Sequence, residues 1–375
     1  MISAAGTEMS EEELIDRLLG SPIDAENAEE VTAAIKKAAE LEERPAFAEG
    51  LAERLRELGV ECEAEDREMM LSEVKRRYRE ILGKSCPRTV QEWVRGTTPG
   101  ITNRQNNYEL CFALEMDLRR TAEFFERHFL TMPFNVKSRT DAVFFYCLCH
   151  KKSYSTACRL LEGAKGFVSQ EKAHTSTSRI AAMIFETEDE DIFLKYLSEH
   201  CYDSEQQFIL AKRIISSELD TVGERLMRFD NERAKRADRL GSLTIEALLG
   251  YKYQEKGSRV RELRLPKRFT ESLPNDVTLG RIKNGQGVSY ELLRKTMVLL
   301  KFYNFYFDAD NCDGETIRSN LLDFYGELDQ ALISCGFAQL YPGHPYDCLM
   351  LYCANSYEPI DTLYCVIENW RNAFL

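Results

Sequence analysis

Two segments of the chain carry an excess of basic side chains of the kind that bind polyanions. Residues 71–104 hold eight Lys or Arg against three Asp or Glu, and residues 252–295 hold eleven against five. Guanidinium and ammonium groups bind phosphate oxygens through charge-assisted hydrogen bonds, so a clustered excess is the footprint of a polyanion-binding surface. Most basic segments are ordinary solvated faces, and the charge count alone leaves both interpretations open.

The formal net charge of −13 has a different origin. Residues 1–70 hold twenty acidic and seven basic side chains, which accounts for the whole excess, and the remainder of the chain is neutral. An acidic leader of this kind can compete with a polyanion for the basic segments.

Composition predicts a soluble protein with two or three ordinary hydrophobic cores, since the 375 residues are 44% hydrophobic and 30% charged. No apolar run approaches the ~18–20 residues of a membrane-spanning helix, and the first residues lack the order of a signal peptide. We therefore expect a cytoplasmic location and no membrane partner. The twelve cysteines stand mostly singly in apolar segments and are expected to pack as reduced, small hydrophobes.

Motifs for catalysis or metal binding are missing from the sequence. There is no Gly-rich phosphate loop, nucleophile elbow or His-Glu-x-x-His, and the five histidines are scattered. Cys147, Cys149 and His150 do not share one helical face. The acidic turn at 307–317 has Asp313 where an EF-hand requires Gly. We predict no enzyme, no metal site and no cofactor.

Helical periodicity dominates, and the predicted fold class is mostly α. Residues 28–59 predict two amphipathic helices separated near Pro45. Asp117 is placed to cap a further helix. One apolar stripe is predicted to contain Leu110, Leu114, Leu118, Phe125 and Phe129.

Residues 336–355 align without a gap on residues 130–149. The matched pairs include Asp141 with Asp347, Tyr146 with Tyr352, and Cys147 with Cys353. Upstream, residues 90–96 align with 279–285, and the triplet Tyr-Glu-Leu recurs at 108–110 and 290–292. The spacing between copies changes along the chain, which predicts a divergent internal repeat with loops of different length.

Residues 81–125 contain a helix ending in Gly, a short helix ending in a Trp-x-x-Gly element, a Pro, and a Leu/Ala-rich helix. The residues at these places are Gly83, Trp93, Gly96, Pro99, Leu110, Ala113 and Leu114. This order resembles the second half of a lambda-repressor-like (XRE-type) helix-turn-helix, and the residues that follow resemble regulator-like proteins of Firmicutes. The resemblance covers most of residues 71–162 and, as a degenerate second copy, 266–370.

The resemblance implies a DNA-binding transcriptional regulator whose recognition helix spans about 87–95. Ser85 is the expected N-cap, Pro87 suits the first turn, and Gly96 closes the helix. In the major groove, Arg pairs with guanine and Gln with adenine, each contributing roughly 1–3 kcal/mol of discrimination. The implied DNA contacts are Arg88 and Gln91 to bases, and Arg95 and Arg104 to phosphates.

The second copy has Asp276 near its helix start and only Arg281 and Lys283 further on, so it is expected to keep the packing without reading DNA. The predicted division is an acidic helical region 1–70, a helix-turn-helix-like module 71–168, a helical connector 169–255 and a divergent helical repeat 256–375.

The alternative is a non-enzymatic scaffold protein with a degenerate helix-turn-helix architecture. It would bind a protein partner, or a second copy of itself, through its aromatic-rich C-terminal half. The aromatic residues concerned are Tyr303, Phe305, Tyr306, Tyr352, Tyr364 and Trp370. Residue type alone favours the core for these aromatics, as it does for Trp93. Exposure of Arg88 and Gln91 separates the two hypotheses, because a DNA-reading helix must present both.

Overall fold

The computed structural model describes residues 22–24, 27–43, 47–97, 99, 104–165, 167, 177–229, 269 and 273–372. These residues form sixteen α-helices and one π-helical turn, and no β-strand occurs among them. The predicted mostly α fold class is confirmed.

In chain order, the helices are α1 (Ala28–Glu43), α2 (Phe47–Glu57), α3 (Arg67–Ile81), α4 (Arg88–Val94), α5 (Arg104–Ala113), α6 (Leu118–Phe124), the π-helical turn (Phe125–Phe129), α7 (Arg139–Cys149), α8 (Tyr154–Gly163), α9 (Thr177–Glu186), α10 (Glu190–His200), α11 (Ser204–Phe229), α12 (Asp276–Lys283), α13 (Tyr290–Tyr306), α14 (Gly314–Ser334), α15 (Pro345–Ala354) and α16 (Pro359–Asn372). The predicted break near Pro45 falls between α1 and α2.

The described chain divides into two compact units. The first unit comprises the described residues of 44–207 together with 333–339, and the second comprises those of 9–43, 208–332 and 340–375. This division differs from the predicted one, because the acidic region 1–70 contributes to both units. Helix α1 packs on α15 and α16, whereas α2 packs on α3 and α4. Residues 230–255 of the predicted connector lie outside the described residues.

The helices of the first unit bury their apolar stripes in one core. The ring of Trp93 on α4 lies 6.2 Å from that of Phe47 on α2 and 5.9 Å from that of Phe129 in the π-helical turn. Of the predicted stripe, Leu110, Leu114, Phe125 and Phe129 are buried, and Leu118 packs against the core half-buried. The amphipathic pattern therefore identified the core face of α5 and the helices that follow it.

Two predicted helix caps have different outcomes. The Asp117 carboxylate accepts the backbone N–H of Arg120 at 2.8 Å, which confirms it as a cap. The Ser85 cap is wrong, since α4 begins at Arg88 and Pro87 occupies the N-cap position without a side-chain bond. Pro87 lacks an N–H and would have been tolerated inside the first turn of the helix. Its backbone is extended (ψ 146°), however, so α4 starts one residue later, at Arg88.

In the second unit, the core is built around helices that are buried on most sides. All ten residues of α15 are buried, and this helix packs on α1, α13 and α16. Helix α13 is buried along most of its length. Helix α15 is apolar nearly all round, as expected of a helix inside a core, whereas α13 also buries the charged side chains of Glu291, Arg294 and Lys295. Asn275 and Thr278 form a reciprocal capping box at the start of α12.

Crossing a bilayer requires a helix that is both long and apolar, and none of the described helices meets both requirements.

We expect Gly96→Ala and Gly223→Ala to change stability in opposite directions. Gly96, just after α4, has φ +114°, so alanine should lower the free energy of unfolding by about 1 kcal/mol. Gly223 lies inside α11 and an added Cβ meets no atom within 4 Å, so alanine should raise it by about 0.5–1 kcal/mol. Urea unfolding of both variants measures the difference, and shifts of the same sign would contradict the assignment.

Candidate functional site

The candidate functional site is the exposed face of α4, the helix predicted to read DNA. Its core-facing residues are Val90, Trp93 and Val94, which are at most 3% exposed. Arg88 and Arg95 lie on the opposite, exposed side. Because α4 packs on both α2 and α3, its orientation in the first unit is fixed by the core rather than by the exposed side chains.

Both exposed arginines of this face have acidic partners. Arg88 Nε donates to Glu92 Oε1 at 2.8 Å, one turn along the helix, and the Arg88 side chain is 91% exposed. The Arg95 guanidinium lies 3.9 Å from a carboxylate oxygen of Glu68 on α3. Exposed ion pairs contribute about 0–1 kcal/mol, so phosphate or base oxygens can replace these carboxylates at little cost.

Gln91 is partly buried and more firmly held. Its Nε2 donates to the backbone oxygen of Cys86 at 2.9 Å, in the turn before the helix. Any external ligand of Gln91 must compensate for the loss of this bond, whereas Arg88 gives up only a solvated ion pair.

The basic excess of residues 71–104 is largely neutralised by the fold. Arg76 pairs with two carboxylates inside the segment. Carboxylates beyond the segment pair with Arg77 through Glu115, with Lys84 through Glu109 and with Arg104 through Asp141. Of the basic residues of this segment, Lys75 and Arg79 have no acidic partner within the described chain. Residues 252–268, the larger part of the second basic segment, lie outside the described residues.

One further cation lies near the start of α4. Burial raises the pKa of the Cys86 thiol to about 11, and the charges of Lys75 and Lys84 act on it in the opposite direction. Both ammonium groups therefore lie near the turn that leads into α4. Lys84 is held by Glu109 at 2.9 Å, so Lys75 is the one still available to an anion.

Arg104 lies in the interior of the first unit and not on the α4 face. It is the first residue of α5, is 7% exposed, and its Nε lies 2.9 Å from Asp141 Oδ1 on α7. Its Nη2 also donates to Asp141 Oδ2 and, at 2.9 Å, to the backbone oxygen of Met132. A guanidinium engaged in this way is not available to a phosphate, which argues against the predicted role of Arg104.

The Asp141 carboxylate collects several donors besides Arg104. Tyr108 Oη donates to Asp141 Oδ2 at 3.0 Å, and the backbone N–H of Asn135 donates to the same oxygen at 3.0 Å. Asp141 is the third residue of α7, whose N-cap is Ser138. The Asp141 carboxylate therefore links the start of α5, the start of α7 and the loop that precedes α7.

The second unit contains a buried pair of the same kind. Arg294 on α13 donates from Nη1 and Nη2 to the two oxygens of Asp347 at 2.8 and 2.6 Å. Asp347 is the third residue of α15, and its Oδ2 accepts the backbone N–H of Tyr341, six residues earlier, at 2.9 Å. The bond from Asn135 to Asp141 spans the same six residues. Each unit thus has one helix that begins at a buried aspartate paired with an arginine.

The predicted alignment matched the two aspartates but missed the second arginine. Its Tyr-Glu-Leu match puts Arg104 opposite Gln286, whereas the buried pairs make Arg104 and Arg294 equivalent. In this register Leu110 meets Leu300, and both are buried. Residues 104–113 and 294–303 share only Arg104 with Arg294, Leu110 with Leu300, and Phe112 with Phe302, which is a weak signal in the sequence. Duplication of an ancestral unit stays a prediction.

Further ionisable groups surround Asp347 in the second unit. Lys295 Nζ lies 3.5 Å from Glu291 Oε1, and His344 Nε2 lies 3.9 Å from the same oxygen. All three side chains are buried. Burial alone would raise the pKa of Asp347, but the charge of Arg294 and the nearby His344 outweigh it and hold the pKa well below the usual range. Burial lowers the pKa of His344, which is thereby kept neutral.

The acidic turn at 307–317 is occupied by structural contacts. Asp308 accepts a hydrogen bond from Arg225 at 2.6 Å, and Asp313 accepts the backbone N–H of Thr316 at 2.8 Å. Over the part of the chain that the structure describes, no group of three or more His, Cys, Asp or Glu is arranged to hold a metal ion.

Comparison of the chain with protein-family models, curated proteins and solved structures finds no match.

We expect Arg104→Ala to destabilise the protein far more than Arg88→Ala. Removing Arg104 leaves a buried, unpaired carboxylate, which typically costs about 3–5 kcal/mol, whereas the exposed pair of Arg88 is worth less than about 1 kcal/mol. Urea unfolding followed by circular dichroism measures both. Similar losses for the two variants would mean that the pair of Arg104 and Asp141 is not a buried interaction.

The lowered pKa of His344 predicts a stability loss on acidification. The unfolded chain binds this proton below about pH 6.5, while the folded chain binds it only at lower pH, so stability decreases as pH falls through this interval. The effect is at most about 1.4 kcal/mol per pH unit. His344→Gln should flatten the wild-type dependence between pH 7 and 5, as measured by urea unfolding. Identical slopes for the two proteins would refute the prediction.

Proposed function

We propose that the protein is a DNA-binding regulator that uses the exposed face of α4. The observation that carries the proposal is the division of this helix. Val90, Trp93 and Val94 are locked in the core, while Arg88 and Arg95 face outward with solvated ion pairs. A recognition helix requires this combination of a fixed inner face and an outer face free to enter the major groove.

Arg88 is the principal base-reading residue of the proposal. It lies at the first position of α4, where side chains of a recognition helix reach base edges. Its guanidinium can exchange Glu92 for the O6 and N7 atoms of guanine in the bidentate arrangement that arginine favours. Arg95, at the end of α4, and Lys75, on α3, are the proposed phosphate contacts.

Glu92 sets the affinity of this face. Its carboxylate pairs with Arg88 in the free protein and would face the phosphates of a bound duplex. Binding must therefore release the Arg88 side chain and tolerate a nearby negative charge. Replacing Glu92 by the isosteric Gln removes both the ion pair with Arg88 and the repulsion of the phosphates. The Glu92→Gln variant should therefore bind DNA more tightly than the wild type.

Arg104 has no part in the proposed contact set, because its guanidinium is buried against Asp141. Gln91 remains in the set as a secondary contact that must first release Cys86.

The scaffold alternative receives less support from the aromatic residues of the C-terminal half. Tyr303, Tyr306 and Tyr352 are at most 4% exposed and belong to the core of the second unit. Phe305 and Tyr364 are partly exposed, and the side chain of Trp370 lies outside the described residues. Among the five of these aromatic residues whose side chains are described, none is fully exposed.

Fluorescence anisotropy with a labelled mixture of short duplexes tests the proposal. With Lys75 and Arg95 as two phosphate-neutralising contacts, the logarithm of the affinity should fall with the logarithm of salt concentration with a slope of roughly −1.8. Arg88→Ala should weaken binding roughly tenfold, within the range of one base-reading arginine, and Glu92→Gln should strengthen it.

Arg119→Ala is the matched control. Arg119 is an exposed arginine of α6 that pairs with Glu123 one turn along its helix, as Arg88 pairs with Glu92. The control should leave binding unchanged. Absence of binding at about 50 mM salt, where non-specific contacts are strongest, or equal effects of Arg88→Ala and Arg119→Ala, would refute the proposal.

A further inference from the structure

The first unit contains a cavity of about 860 Å³ bounded by the end of α5, by α6 and by α7. We call it the α5–α7 cavity. Its apolar lining includes Phe112, Met116, Leu118, Phe134, Phe145 and Leu148. The volume lies within the range of small-molecule sites, which are mostly apolar with a few polar groups.

The charged side chains that line this cavity are Glu115, Asp117, Arg119, Lys151 and Lys152, which leave an excess of one positive charge. Glu115 is paired with Arg77 at 2.8 Å, and Asp117 is engaged as the cap of α6. Lys151 and Lys152, at the end of α7, also line the cavity, and neither has an acidic partner among the described residues. Glu115 and the lining residue Arg119, which pairs with Glu123, are thus compensated, whereas Asp117 is outnumbered by the two lysines. The cavity therefore combines an apolar wall with a net positive charge.

The cysteines of the wall add no negative charge. Burial raises the pKa of Cys147 and of Cys149 to about 12 each, so both thiols are protonated at neutral pH. They count as part of the apolar surface.

The backbone around the cavity is held in an uncommon conformation at three lining residues. Glu115, Phe134 and Lys151 have φ values of 50°, 54° and 50°, in the left-handed region that non-glycine residues rarely adopt. Glu115 and Lys151 adopt it as the left-handed residues that end α5 and α7, where the N–H of Met116 bonds to the carbonyl of Cys111 and the N–H of Lys152 to that of Cys147. Phe134 adopts it in the loop before α7, where its N–H donates to Tyr108 Oη. Glu115 is fixed by Arg54, whose Nη2 donates to its backbone oxygen at 2.7 Å.

We propose that the α5–α7 cavity binds a single-chain amphipathic anion, with its alkyl chain among Phe112, Phe134 and Leu148 and its head group at Lys151 and Lys152. The head group is a carboxylate or a phosphate monoester, because both present oxygens that two neighbouring ammonium groups can bind. The proposal does not depend on the DNA-binding function of α4.

Isothermal titration calorimetry of the full chain with octanoate, decanoate and decyl phosphate, all below their micelle concentrations, tests the proposal. Saturable binding of one ligand per chain is expected. Affinity should increase roughly fourfold for each added methylene, since burial of that group contributes about 0.8 kcal/mol. Comparison of decanoate with decyl phosphate shows whether the site prefers a carboxylate or a phosphate monoester as head group. Tighter binding of either ligand supports the proposal.

Substitutions separate the head-group site from the chain site. Lys151→Gln with Lys152→Gln should weaken decanoate roughly tenfold and leave the uncharged decanol unchanged. Leu148→Trp, which fills the cavity, should abolish binding of both, and Leu118→Trp serves as a second blocking variant if the first does not fold. Lys195→Gln, which removes an exposed lysine of α10, should have no effect.

Several results would overturn the proposal. These are absence of saturable binding, equal affinity for decanoate and decanol, or retention of binding in a folded Leu148→Trp or Leu118→Trp variant.

Discussion

The negative charge of a carboxylate that is buried at the third position of a helix must be compensated by groups of the same unit. In each unit this need determines which helix packs beside the carboxylate and how the preceding loop runs. Asp141 and Asp347 are both fully buried, and each is met by an arginine and by the backbone N–H six residues before it. An unpaired carboxylate in such a place is strongly destabilising. The arginine therefore fixes how α5 approaches α7, and how α13 approaches α15, while the backbone N–H fixes the loop that precedes each helix.

The surroundings of the two pairs differ in charge. In the first unit, Arg104 and Asp141 are joined by the neutral groups of Tyr108 and Met132. In the second unit, Glu291, Lys295 and His344 lie within a few ångströms of one another beside the pair. The first centre joins one ion pair to neutral hydrogen-bonding groups, whereas the second is a network of charges in which a proton on His344 would change the electrostatic balance. The second centre therefore links stability to pH near neutrality through His344.

Local patterns in the sequence predicted the helices and their buried faces, because amphipathic spacing and caps are properties of neighbouring residues. Asp117 and the stripe from Leu110 to Phe129 were identified in this way. The partners of arginines were not, since Asp141 lies 37 residues from Arg104. Arg88 and Arg104 look equivalent in a charge count, yet one is solvated and the other is buried. The Ser85 cap failed because the extended conformation of Pro87 delays the start of α4.

The same long-range pairing limits what the surface of the first unit can do with a polyanion. Half of the eight basic groups of residues 71–104 are already neutralised, which leaves Lys75, Arg79, Arg88 and Arg95 for external anions. With so few phosphate contacts, the counterion-release contribution to affinity is small. Any tight complex with a duplex must then obtain its free energy from base edges or from the shape of the DNA, and its strength must depend on sequence more than on salt.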